Sequence, residues 1–123
     1  MSLLDFASAT GKRRKDLIVR ARKATGVLKA MSHEARILIL CLLAEGEKSV
    51  SEIEAHMDMT QAAVSQQLAR LRRDGIVSAR REGRHSFYTV EDPHVLSLVE
   101  QIFEHIAPDG TLAPDPPPKD PHA

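Results

Sequence analysis

Residues 60–71, T-Q-A-A-V-S-Q-Q-L-A-R-L, constrain this chain more than any other stretch. Val64, Leu68 and Leu71 recur at spacings of four and three, which buries one side of a helix and leaves the other side free. Thr60 suits the cap of that helix, because its hydroxyl accepts a hydrogen bond from an unpaired amide of the first turn. The free side carries Gln61, Ala62, Ser65, Gln66 and Arg70, and no carboxylate. In the major groove of DNA, Gln pairs with adenine and Arg with guanine through two hydrogen bonds, while Ser accepts several bases. A small Ala lets the backbone approach closely. The plain alternative is a solvated helix face, and the neighbouring residues decide between the two.

Upstream, residues 51–57 read as a short helix with Ile53 and Met57 on its apolar side. Ser51 followed by Glu54 predicts a capping box there. Met57-Asp58-Met59-Thr60 is then the connection of a helix-turn-helix. Downstream, Gly75 is placed to stop the reading helix. Residues 76–81 and 85–90 alternate like strands, with Glu82-Gly83-Arg84 as a hairpin turn. This hairpin predicts a basic wing lying along the phosphate backbone. The expected DNA contacts are Thr60, Gln61, Ala62, Ser65, Gln66, Gln67 and Arg70 on the helix, with Arg80, Arg81, Arg84 and His85 on the wing.

The formal net charge of zero conceals a segregation that agrees with this reading. Residues 11–40 hold nine Lys or Arg against Asp16 and Glu34. Residues 70–85 hold six Arg against Asp74 and Glu82. The acids collect in residues 45–58 and after residue 90, so positive charge concentrates where the reading helix and wing lie. The chain has no Trp, one Tyr and three Phe, which argues against base stacking on aromatics as the mode of recognition. The longest apolar run, residues 37–44, is too short to span a bilayer. No secretion-signal pattern opens the chain, so the expected compartment is the cytoplasm. One cysteine, Cys41, excludes an intramolecular disulfide and any C-x-x-C zinc knuckle.

At 123 residues one domain is expected, over residues 16–107. Residues 1–15 read as a flexible basic segment, with G-K-R-R-K at 11–15 opening a helix over about 16–31. Its Leu17, Ala21, Ala24, Leu28 and Met31 form a seam for a partner helix. Ser32-His33-Glu34 caps a core helix running to about Ala44, and Lys48 to Val50 is a link able to pair with the wing sheet. Asp92-Pro93 starts the last helix, with an apolar stripe of Val95, Val99, Ile102 and Ile106. So small a chain has no room to bury two such helices alone. The predicted fold is mostly α with a small β-hairpin wing, a winged helix-turn-helix forming a two-fold homodimer through its first and last helices. Residues 108–123 hold six of the seven prolines and read as a disordered tail.

In element order and in three stretches the chain resembles the ArsR family of bacterial winged-helix repressors. The stretches are L-K-A-M-S-H-E-A-R-I-L-I-L-C-L-L, T-Q-A-A-V-S-Q-Q-L-A-R-L-R-R-D-G-I-V and R-R-E-G-R-H-S-F-Y. The resemblance implies repression through double-stranded operator DNA, relieved by an inducer. Where the family's arsenic and cadmium sensors carry C-V-C, this chain has Ser49, Val50 and Ser51, so that site is absent. Of the family's metal site in the last helix, Asp92, His94 and His105 remain, and Pro108 at the fourth position cannot coordinate. The surroundings of Cys41 are most similar to the branch that senses persulfides and oxidants through two cysteines. The second would fall near residue 107, which is Ala107 here. The resemblance therefore implies reactive sulfur species or an oxidant acting at Cys41, with the metal response through Asp92, His94 and His105 as the alternative. It implies no cofactor and no membrane partner.

No Ser–His–acid set, glycine-rich phosphate loop or H-E-x-x-H motif is present, so an enzyme is not expected. The remaining rival is a winged helix that binds only another protein. The segregated arginines and the Gln/Ser face speak against it.

Overall fold

The computed structural model describes residues 7–112. The order of elements is α1 (Gly11–Met31), α2 (Glu34–Leu43), β1 (Lys48–Ser49), α3 (Val50–Met57), α4 (Gln61–Arg73), β2 (Val77–Glu82), β3 (His85–Val90) and α5 (Pro93–Glu104). The chain divides into two compact units, with the boundary between Glu91 and Asp92.

In the first unit α2, α3 and α4 surround a core whose fully buried side chains are Ile39, Leu40, Ile53, Val64, Leu68 and Leu71. The three from α4 are the periodic residues of its sequence pattern, so its opposite side faces outward. α2 is less enclosed than its near-continuous apolar sequence suggests: Leu38 is 45% exposed and Cys41 is half-buried. His33 caps the helix, its Nδ1 accepting from the Ala35 N–H at 3.0 Å, whereas Ser32 terminates α1.

α1 begins at Gly11 rather than near Asp16, so the basic cluster Lys12 to Lys15 forms its opening turns. Its first turn contains no acid, and its cap Thr10 makes no side-chain bond. Most of its length is exposed, including Ile18, Val19 and Leu28; Ala30 and Met31 are buried. The predicted seam therefore lies largely uncovered in a single chain.

The expected capping box at Ser51 and Glu54 forms two residues earlier. Ser49 Oγ accepts from the Glu52 N–H, and Glu52 Oε1 accepts from the Ser49 N–H, each at 3.1 Å. The reason is that β1 runs directly into α3. Lys48 and Ser49 pair with Tyr88 and Phe87 of β3, and the helix starts as soon as that pairing ends. The sheet order is β1-β3-β2, antiparallel throughout.

In the second unit Asp92 caps α5 by accepting from the His94 N–H at 2.9 Å, with Pro93 in the first turn. Val95 and Val99 are buried, while Leu98, Ile102, Phe103 and Ile106 stay 40–46% exposed. A turn follows α5 at the start of the proline-rich segment. Ala107 N–H donates to the Thr111 carbonyl at 2.7 Å, and Ile106 bridges Leu112. The rest of the expected disordered tail, and the opening six residues of the chain, lie outside the described residues.

Candidate nucleic-acid interface

The helix-turn-helix is held at both ends of its turn. Asp58 closes α3 in the left-handed conformation, with φ 52° and ψ 44°, which Asp tolerates better than most residues with a side chain. Thr60 Oγ1 then accepts from the Ala63 N–H at 3.1 Å, as its sequence position predicts. At the far end Gly75, with φ 74°, lets the chain leave α4 through paired bonds: Gly75 N–H to the Arg72 carbonyl and Ile76 N–H to the Leu71 carbonyl. Ile76 and Val77 are thereby drawn into the core, and the wing starts at a fixed angle.

β2 and β3 pair over their full length, with Glu82 opposite His85 and only Gly83 and Arg84 between them. Gly83 has φ 62° in the first of the two central positions, the conformation a tight hairpin turn of the primed type demands.

Gln61, Ala62, Ser65 and Gln66 are exposed on α4. Gln61 and Ser65 share a hollow of about 300 Å³ with Ser51 at the start of α3 and with Arg81, Arg84 and His85 of the wing. The structure thus gathers five of the predicted contacts into one concave, basic, polar surface. Three others are placed differently. Gln67 turns toward α2, where its Oε1 accepts from Arg36 Nη1 at 2.9 Å. Arg70 Nε donates to Asp74 Oδ2 at 2.9 Å. Arg80 leaves the wing's groove side: it binds Glu47 through two bonds of 2.9 and 2.6 Å and Glu82 through a third of 2.8 Å, and it stacks over Phe87 at 4.6 Å. Strand alternation explains this, since Arg80 and Arg81 point to opposite faces of β2. The hydrogen bond from Arg80, followed by its charge, holds the Glu47 carboxyl below the usual range. Arg36 and Arg73 also stand beside the exposed face of α4, and the sequence pattern of α4 gave no signal for Arg36 because it lies on α2.

Cys41 lines a separate hollow of about 270 Å³, together with Leu38, Leu42, Glu45, His56 and Met57. Burial raises the thiol above its ordinary pKa, partly offset by a backbone hydrogen bond. His94 Nδ1 lies 3.0 Å from Asp92 Oδ1, but His105 sits at the other end of α5. Among the described residues of one chain, no three His, Cys, Asp or Glu side chains converge as metal ligands. None of the described helices is long and apolar enough to cross a membrane.

Comparison with known proteins agrees with this geometry. Residues 33–79 match the family described as "Bacterial regulatory protein, arsR family". The transcriptional activator HlyU of Vibrio cholerae is 45% identical over 80 residues, covering 65% of this chain and 74% of HlyU. The biofilm growth-associated repressor of Agrobacterium fabrum is 42% identical over 84 residues, covering 68% of this chain and 72% of the relative. A structure described as reduced HlyU superposes with a TM-score of 0.68 at 39% identity, over 73% of this chain and 95% of that one. The homodimeric winged helix-turn-helix DNA-binding domain Mb0332 of Mycobacterium bovis gives a TM-score of 0.64 at 30% identity, over 78% and 86% of the two chains. This chain belongs to the ArsR family of winged helix-turn-helix regulators, DNA-binding transcription factors and not enzymes.

Proposed function

We propose that the chain acts as a two-fold homodimer that represses transcription from a near-palindromic operator, and that Cys41 is the position at which reactive sulfur species or an oxidant acts on it. The observation that carries the DNA reading is the concave surface where Gln61 and Ser65 of α4 meet Arg81, Arg84 and His85 of the wing. The side chains on α4 suit base edges, and the cations suit phosphates. The exposed apolar residues of α1 and α5 support the dimer, as does the homodimeric relative. Two reading helices related by a two-fold axis meet two half-sites about one helical turn apart.

The effector reading rests on where the thiol lies. Its hollow also contains His56 and Met57, the last two residues of α3, directly before the turn into α4. A persulfide donor transfers its outer sulfur to the Cys41 thiolate and departs as a thiol. The product is larger and more acidic than the thiol it replaces. Growth and charge in that hollow press on the end of α3 and hence on the seat of the reading helix. The chain has no second cysteine, and Ala107 stands where the resemblance places one, so a bridge within one chain cannot follow.

Operator and scrambled duplexes titrated with Gln66→Ala and Arg84→Ala test the DNA reading. Gln66→Ala should lower discrimination by on the order of 1–3 kcal/mol, and Arg84→Ala should weaken both duplexes alike. An unchanged specificity ratio in Gln66→Ala would refute the groove assignment. For the thiol, mass spectrometry after persulfide treatment should find one added sulfur at Cys41, and Ala107→Cys should make operator release depend on oxidant and reverse with reductant. No adduct at Cys41, and no crosslink in Ala107→Cys, would make the cysteine an inert part of α2.

A further inference from the structure

A second basic hollow lies on the flank of α4 away from the wing. Arg36 of α2 lines it with Gln66, Gln67, Ala69, Arg70 and Arg73 of α4, enclosing about 430 Å³. Its lining contains three guanidinium groups and no carboxylate. A helix turns about 100° per residue. Gln61 and Ser65 therefore lie toward one flank of the exposed face, Ala69, Ala62, Arg73 and Gln66 across its middle, and Arg70 on the other flank. The wing hollow borders the first flank, and the Arg36 hollow borders the second.

Arg36 is fixed in this position. Its Nε donates to the Ala30 carbonyl, its Nη2 to the Lys29 carbonyl at 3.4 Å and its Nη1 to Gln67 at 2.9 Å. Burial first and the neighbouring Arg70 second lower its pKa, with Asp74 acting in the opposite sense. Like charges are thus held close together, with Asp74 as the carboxylate that pairs one of them.

We infer that this hollow seats the phosphate backbone of the DNA strand opposite the wing, so that the reading helix is clamped on both flanks. The inference rests on the reading that α4 enters the major groove. An α-helix with its side chains is about 10–12 Å across, and the groove is about 12 Å wide. The helix fills the groove, and each flank faces one phosphate wall. Cations on the wing side alone would draw α4 toward one wall, whereas cations on both sides centre its reading face over the base edges. Arg70 then faces the backbone rather than a guanine, and its bond to Asp74 withholds it from the phosphates.

The test is the salt dependence of binding by the full-length protein to operator and scrambled duplexes. Arg73 is exposed, so Arg73→Gln should fold normally, as circular dichroism would verify. It should lower the slope of log K against log salt by about 0.9, the value of one lost phosphate contact, and weaken both duplexes by a similar factor. Asp74→Asn, which releases Arg70, should tighten both duplexes and steepen the slope. If Arg84→Gln lowers the slope while Arg73→Gln and Asp74→Asn leave it unchanged, the wing meets DNA and the second clamp does not exist. If Arg84→Gln and Gln66→Ala are also without effect, the groove reading itself fails.

Discussion

Ser49→Ala and Ser51→Ala place the start of the helix-turn-helix in direct competition. Sequence spacing favours a box of Ser51 with Glu54, but the structure forms it from Ser49 with Glu52. Ser49 is only 9% exposed, and its hydroxyl accepts from the Glu52 N–H at 3.1 Å. Losing a cap of this kind costs about 1 kcal/mol, within a range of roughly 0.5–2. For a domain of roughly 60–100 residues each kcal/mol lowers Tm by about 4–8 °C. Ser51 is exposed in the first turn of α3 and caps nothing, so Ser51→Ala should change Tm little. The reciprocal bond adds a dependence on pH. The backbone N–H of Ser49, then its hydroxyl, depress the Glu52 pKa. A depressed carboxylate stabilises the fold above its unfolded pKa and loses that contribution as pH falls through the folded value. Ser49→Ala keeps the larger cause, so most of the acid dependence should survive in it and disappear in Glu52→Gln. Thermal melts followed by circular dichroism, near neutral pH and in acid, measure both effects. Equal losses in Ser49→Ala and Ser51→Ala, or no loss in the former, would refute the assignment.

Gly83→Ala forces a side chain into a positive-φ position, where Asn is better tolerated. It should cost about 1–2 kcal/mol in denaturant melts and weaken operator binding, with Gly83→Asn milder; a neutral Gly83→Ala would contradict the turn geometry. Ile102→Glu alters a side chain that is 45% exposed in one chain, so it should leave the protomer folded while sedimentation shows monomers. An intact dimer would show that α5 does not join the two protomers. Because burial raises the Cys41 pKa, alkylation by iodoacetamide should be slower in the native than in the unfolded protein and should accelerate with rising pH. Faster alkylation of the native protein would overturn that order.

What the sequence makes legible is what local periodicity controls. Val64, Leu68 and Leu71 bury as their spacing requires, Thr60 and Asp92 cap their helices, and Gly83 turns the hairpin. The position of the capping box is ambiguous in sequence, because two overlapping S-x-x-E patterns, Ser49–Glu52 and Ser51–Glu54, stand side by side. Only the pairing of Ser49 with Phe87, some forty positions away in sequence, selects between them. Long range also decides which arginines are free. Arg80 and Arg81 are adjacent, yet Glu47 captures only the one whose strand face it shares. Arg36 was hidden for the same reason. Nothing in α2 indicates that its guanidinium would reach from the end of α1 to Gln67.

The captured arginines bear on how such a protein tells one sequence from another. A phosphate contact strengthens binding to every duplex equally, so each additional free cation raises affinity for the whole genome and adds nothing to discrimination. On the proposed geometry Arg80 and Arg70, the two cations flanking the reading surface that are bound to acids, are each withheld from the backbone by a specific carboxylate. Arg81 and Arg84 remain at the wing, and Arg73 remains at the opposite hollow. The net charge of zero then conceals a cationic surface, because most of the acids lie elsewhere in the chain. With the backbone contribution limited in this way, the neutral side chains of α4, Gln61, Ser65 and Gln66, supply a larger share of the binding energy. Glu47→Gln should therefore change affinity where Gln66→Ala changes specificity. By releasing Arg80 it should raise affinity for operator and scrambled DNA by a similar factor and leave their ratio unchanged, and unchanged affinity for both duplexes would show that Arg80 has no access to the backbone.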